Sequence, residues 1–102
     1  MIVVMGHLVV GADEREAHLA LSLDAAAAAR AAPGCLHFVV TADPLEPTWV
    51  DVAELWASRG ELDAFRTSGE AVEGFDPFVY VRQFHIQELE VRGLPDDWTR
   101  SR

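Results

Sequence analysis

The sequence has no lysine, one cysteine and no long apolar run, and each shortage removes a class of protein. With Cys35 alone, no disulfide can form within the chain. A lone thiol in an apolar stretch behaves as a small hydrophobe unless a cation activates it. Its 8 basic residues are all arginine and face 17 acidic ones, for a net charge of −9. Such a surface repels phosphate backbones and anionic headgroups, so neither nucleic acid nor membrane is an expected partner. No apolar stretch approaches the ~20 residues that span a bilayer. The opening MIVVMGHLVVG has no basic segment and no cleavage site, so no signal peptide is expected and the expected location is cytoplasmic. Glycine-rich phosphate loops, Gly-x-Ser-x-Gly elbows and His-x-x-x-His spacings are also missing, so neither cofactor nor metal is expected.

What is present is a chain of 102 residues that is 50 % hydrophobic, enough for one domain with two packed layers. IVVMGHLVV at 2–10 is β-branched, short and stopped by Gly11, which predicts a strand. Asp13 and Glu16 have capping-box spacing for a helix that runs to Pro33-Gly34. CLHFVVTA at 35–42 predicts a second strand, DPLEP a turn, and TWVDVAELWA at 48–57 a third strand. Ser58 and Glu61 open a second helix bearing Leu62 and Phe65, and FVYVRQFHIQELE at 78–90 closes the pattern as a fourth strand. Residues 1–90 thus form one domain, and 91–102 a polar tail in which Trp98 is expected to fold back on a partner subunit or over a pocket mouth. The order β-α-β-β-α-β has a compact solution: an α+β, ferredoxin-like sandwich with both helices on one face of a four-stranded antiparallel sheet.

Such a sheet, if wet on its other face, alternates apolar and polar residues. Here it does not. Ile2, Val4, Leu8 and Val10 oppose Val3, Met5 and Val9; Leu36, Phe38 and Val40 oppose Cys35 and Val39. Two helices cover only one face, so a second copy packing sheet on sheet is expected, giving a homodimer.

The opening strand before an acidic helix start, PGCLHFVV at 33–40, the turn DPLEP, and AELWASRGELDAF at 53–65 with its Glu54-x-Trp56-x-Ser58 core resemble the antibiotic biosynthesis monooxygenase family of dimeric α/β-barrel proteins. The resemblance spans about positions 1 to 90 and implies a pocket in each subunit between sheet and helices. It also implies cofactor-free oxygenation of quinols or polyketide-type phenols, although relatives of the same fold degrade haem or isomerise small molecules. Many quinol-oxidising relatives carry His on the second helix, where this chain has Phe65 and Glu70. The haem-degrading pattern of Asn, Trp and His is replaced by His7, Phe65 and Phe75, which disfavours haem chemistry.

Cofactor-free oxygenation needs a base near neutrality, a dry cavity and donors for an oxyanion. His7 is the candidate base, with a core histidine an equal reading. Arg82 is the candidate oxyanion holder, with an ion pair to Glu54 as its structural alternative. Trp56, Phe65, Phe75 and Tyr80 are candidate walls for a small aromatic ligand. Glu54 and Ser58 are read as structural hallmarks, Glu54 accepting hydrogen bonds from Arg or backbone, while Trp56 fits either pocket wall or core cap. His18 is expected to face solvent and His37 is a weaker candidate. The expected function is a cofactor-independent monooxygenase of a small phenolic, quinol or polyketide-type aromatic. A non-catalytic dimeric ligand-binding protein and an isomerase-type relative are the alternatives.

Overall fold

The computed structural model describes residues 1–68 and 79–92. Phe75, Glu70 and Trp98 lie outside them, as does the expected packing of the tail. Six elements follow in the expected order: β1 (Ile2–Val10), α1 (Arg15–Ala31), β2 (Cys35–Ala42), β3 (Trp49–Trp56), α2 (Arg59–Thr67) and β4 (Val81–Glu90). The strands pair antiparallel in the order β2-β3-β1-β4, so β1 and β3 are central. This is the ferredoxin-like arrangement, with helices on one face.

Alternation along the strands sorts side chains between two faces. Ile2, Val4 and Trp56 point to the helices and form the core with Ala29 and Leu62. Ala32, Cys35, Phe38, Phe65 and Ile86 pack around it. The register of β2 slips between Cys35 and His37, which sets Cys35 opposite Trp56 on the helix side and leaves Leu36 exposed. Simple alternation had placed Leu36 with Phe38; the bulge is what separates them. A second irregularity pairs Val9 with Gln83 but Val10 with Val81, so Arg82 is an unpaired bulge residue. Val79 and Tyr80 form a turn before β4, not part of it.

The two helix starts differ. Ser58 caps α2: its hydroxyl oxygen accepts from the Glu61 amide (3.2 Å), and its proton goes to Glu61 Oε1 (3.0 Å). The expected Asp13 cap on α1 does not form; Glu14 occupies the N-cap with no side-chain bond. α1 is held instead through Arg15, whose Nη1 donates to the backbone carbonyls of Asp43 (3.3 Å), Glu46 (2.9 Å) and Trp49 (3.4 Å). The same turn is tightened by Asp43 Oδ2, which accepts from the Leu45 and Glu46 amides. At the far end, Met1 and Val91 exchange backbone hydrogen bonds that extend the β1–β4 ladder by one pair.

His18 corrects an expectation. It lies on the inward face of α1 and is only 3 % exposed. An alanine-rich helix lies close to a sheet, which leaves no room at this position for a solvated ring. Burial pushes its imidazole below the ordinary 6.5. The folded state therefore binds this proton less readily than the unfolded chain, so the stability is fully present above pH 6.5 and is lost as pH falls below it. The variant H18L should remove that component. The wild-type thermal midpoint should fall relative to that of H18L between pH 7.5 and pH 5, and a constant offset would exclude His18 as the titrating group.

Candidate functional site

Glu54 and Trp56 are two residues apart on β3, so both side chains face the helix layer. Trp56 is fully buried, and its indole Nε1–H donates to Glu54 Oε1 at 2.9 Å. Phe65 of α2 packs on the indole, ring centroids 5.3 Å apart and planes tilted 30°. The Ser58 cap fixes where α2 begins and so where Phe65 lands. Phe65 also lines a cleft of about 160 Å³ with Ala32, Pro33, Glu61, Ala64 and Ser68.

Glu54 is half-buried, and among the described residues its one hydrogen bond comes from Trp56. Burial pushes its carboxyl above the ordinary 4.5; the indole hydrogen bond and the charge of Arg66 oppose that shift without cancelling it. Glu88 of β4 shares the helix-facing side, since both residues register with Val4. Its fate is different. Arg59 reaches Glu88 Oε1 at 2.6 Å and Arg66 reaches Oε2 at 3.1 Å. The hydrogen bond from Arg59 chiefly holds the Glu88 carboxyl below its ordinary range. Two carboxylates in one row are thus pushed apart by their partners.

Beyond Glu54 the helix side of the sheet opens. Ile2 and Val4 are sealed at one end, Val10 and Val50 at the other. Between them Gly6, Leu8, Val52 and Ile86 remain half-exposed, and Phe84 is 64 % exposed. The backbone demands glycine at position 6: its φ is +147°, and a Cβ there would collide with the His85 carbonyl oxygen. Gly6 pairs with Val52 and Val4 with Glu54, so Gly6 is a diagonal neighbour of Glu54. Gly6, Leu8, Val52, Ile86 and Phe84 together make an apolar, partly open trough beside the carboxylate.

The opposite face carries Val3, Met5 and Val9 of β1, Ala53 and Leu55 of β3, Val39 of β2 and Leu89 of β4. Neither α1 nor α2 covers it; Met5 is 49 % and Leu89 45 % exposed. His7 sits in its centre. The imidazole stacks on Trp49 at 3.7 Å and 12°, and His85, its cross-strand partner, lies 4.9 Å away. Asp51 flanks His7 from β3. Burial and a hydrogen bond to Asp43 push the Asp51 carboxyl up, while the bond from Asp51 draws the Asp43 carboxyl down.

His7 and Arg82, the paired candidates from sequence, do not meet. His7 faces away from the helices, whereas Arg82 Nη2 reaches back to Glu14 Oε1 at the start of α1, at 3.0 Å. The alternative pairing of Arg82 with Glu54 does not form either, and Glu54 accepts from an indole rather than from Arg or backbone. Trp56 and Phe65 are brought together; Tyr80 lies apart from them in the turn before β4; Phase and parity alone had put it on the strand. His37 points to the uncovered face, on an edge strand. Sequence reasoning overlooked Gly6 and Arg66. A glycine inside an otherwise β-branched strand was the available signal for the first. Among the described residues no group of three or more His, Cys, Asp or Glu is placed to hold a metal ion.

The family model for antibiotic biosynthesis monooxygenases matches residues 1–76 of this chain. Comparison with curated proteins finds no match. Among solved structures, the chain is similar to a proposed antibiotic biosynthesis monooxygenase from Deinococcus radiodurans, with 21 % identity and TM-score 0.80 over 94 % of this chain and 97 % of that one. A second such protein, from Nitrosomonas europaea, is 18 % identical with TM-score 0.76 over 93 % and 100 %. A conserved protein from Methanosarcina mazei is 20 % identical with TM-score 0.75 over 86 % and 89 %. At these identities the solved structures establish the fold alone.

The raised carboxyl of Glu54 has a consequence for stability. An acid whose folded-state pKa exceeds its unfolded value destabilises the fold once it ionises, so the cost is absent below pH 4.5 and grows as pH rises through the raised value. The variant E54Q keeps an acceptor for Trp56 and removes the charge. Its thermal midpoint should exceed the wild type's by a few degrees at neutral pH, with the gap closing on acidification below 4.5. A gap independent of pH would show that Glu54 ionisation does not cost stability.

Proposed function

From the premise that this chain belongs to the antibiotic biosynthesis monooxygenase family, we propose that it is a cofactor-independent monooxygenase of a small phenolic, quinol or polyketide-type aromatic. The observation that carries this reading is the apolar trough on the helix side of the sheet, floored by Gly6, Leu8, Val52, Ile86 and Phe84 and ended by the Glu54 carboxylate. A flat aromatic needs such a floor, and an oxidation driven by substrate deprotonation needs a low-dielectric site with a proton acceptor in reach.

The reaction asks for substrate and O₂ only. The substrate loses a proton, and its anion passes one electron to O₂. The resulting radical and superoxide combine into a peroxide. Cleavage of the O–O bond leaves one oxygen as the product carbonyl, and the other departs as water with the two hydrogens the substrate gives up. Trp56 and Phe65 pack behind Glu54 at the closed end of the trough. Arg82 serves as oxyanion holder by exchanging Glu14 for the substrate; an exposed ion pair of this kind is worth only about 0–1 kcal/mol. His7 contributes where a second subunit brings its own groups to the uncovered face. The reading also makes the protein a cytoplasmic homodimer, in a compartment that keeps the single thiol reduced.

A second reading is a dimeric ligand-binding protein without turnover. It is favoured by α2, where Phe65 is spent on packing against Trp56 rather than offering an acid or base to the trough.

Two measurements test these statements. Covering the His7 face with a second copy requires about 800 Å² per partner, so sedimentation at micromolar concentration should report about twice 11.2 kDa. A stable monomer would remove the sheet-on-sheet dimer. Oxygen uptake with an anthrone or hydroquinone, without added metal or flavin, should exceed the uncatalysed rate. Binding of the same compounds with no rate above background would establish the binding protein instead.

A further inference from the structure

Resting on the oxygenase reading, we propose that Glu54 is the group that takes the substrate's hydroxyl proton, and that Trp56 is its positioning residue. The hydroxyl is that of a phenol or quinol, or of the enol form of an anthrone. The O–H bond breaks, its proton goes to the free carboxylate oxygen of Glu54, and the electron pair stays on the substrate oxygen. That anion is what O₂ then oxidises.

Four observations lead to Glu54. The first is its place. It stands at the end of the partly open apolar trough, on the face where the aromatic would lie. The second is its bonding: Trp56 Nε1–H holds Oε1 at 2.9 Å, and among the described residues nothing donates to Oε2. The indole is itself fully buried and packed on Phe65 at a 30° tilt, so it holds one oxygen and leaves the other without a donor among the described residues.

The third is the contrast with Glu88 in the same row. Two arginines occupy both oxygens of Glu88, which makes it a poor base, whereas Glu54 has only an indole and the more distant charge of Arg66. Two carboxylates whose surroundings separate them in this way commonly mark which one handles the proton. Burial raises Glu54 toward working pH, which makes it the stronger acceptor of the two. The fourth is elimination on the same face. Glu14 is tied to Arg82, and His7 points to the other side of the sheet.

The test compares wild type, E54Q, E54D, E54L, E88Q and W56F, first by O₂ uptake against pH and then by binding of 4-nitrophenol, read from the shift of its absorbance. With a turnover substrate, E54Q should lose roughly 10²–10⁴-fold in kcat with KM little changed, and should lose the acid limb of the pH profile. E54D should retain that limb at a lower rate, and E88Q should retain it at lower pH, because the Glu88 charge no longer raises the Glu54 carboxyl and Arg66 is released toward it. W56F should move the acid limb to higher pH, because the lost N–H no longer favours the charged carboxylate; a purely structural Trp56 would alter the thermal midpoint and leave the limb in place. If wild type turns over and folded E54Q stays within threefold of it, Glu54 is not the base and the oxygenase reading survives. If wild type turns over no substrate, the oxygenase reading falls, and binding decides for Glu54. Affinity for 4-nitrophenol roughly tenfold weaker in E54L than in wild type would support the contact, and equal affinities would overturn it.

Discussion

A sheet with two apolar faces, of which α1 and α2 cover one, is the constraint on which the rest of this molecule depends. Hydrophobic burial is non-directional and scales with area, so it fixes which face receives the helices and leaves the other wanting a cover. Ile2, Val4, Trp56, Leu62 and Ala29 close the covered face into a dry core. Val3, Met5, Val9, Val39 and Leu55 form the face that stays open, with a stacked Trp49–His7 pair and His85 at its centre. Polar rings within an apolar sheet face suit a surface that is built to be covered by something with matching polar groups.

The same division sorts the chemistry. On the helix side, the core is sealed at both ends of β1 and left ajar in the middle, where Gly6 withholds a side chain. Glycine is required there because β1 and β4 approach so closely at His85 that no Cβ fits. The rim of this side carries arginines and carboxylates whose pairings are mostly exposed and contribute little to stability. They set local charge instead. By drawing Arg59 and Arg66 to itself, Glu88 leaves Glu54 without a full ion pair, which lets burial keep that carboxyl basic.

Much of this was legible beforehand. Ser58 and Glu61 announce the start of α2, and the cap forms as their spacing requires. Hydrophobic runs stopped by glycine and proline give all six elements in order. Local signals failed where a competing interaction was available. Asp13 does not cap α1, since Arg15 anchors that helix to the β2–β3 turn through three carbonyls. Leu36 and Arg82 sit in bulges, and a bulge shifts parity in a way that alternation cannot foresee. His18 was misread because an alanine-rich helix has no strong apolar stripe to mark its inner face.

The sequence by itself determined the element order, the fold class, the apolar character of both sheet faces, and the shared side of Glu54 and Trp56. Each rests on period, capping or composition, which are short-range properties of the chain. Only the tertiary structure decided that His7 and Arg82 stand apart, that Glu88 rather than Glu54 takes the arginines, and that an apolar stretch beside the Glu54 carboxylate stays partly open. Those outcomes depend on register between strands distant in the chain and on which long side chain reaches which partner first. A salt bridge between residues 29 apart, such as Arg59–Glu88, has no local signature, yet it decides which of two glutamates is left to act.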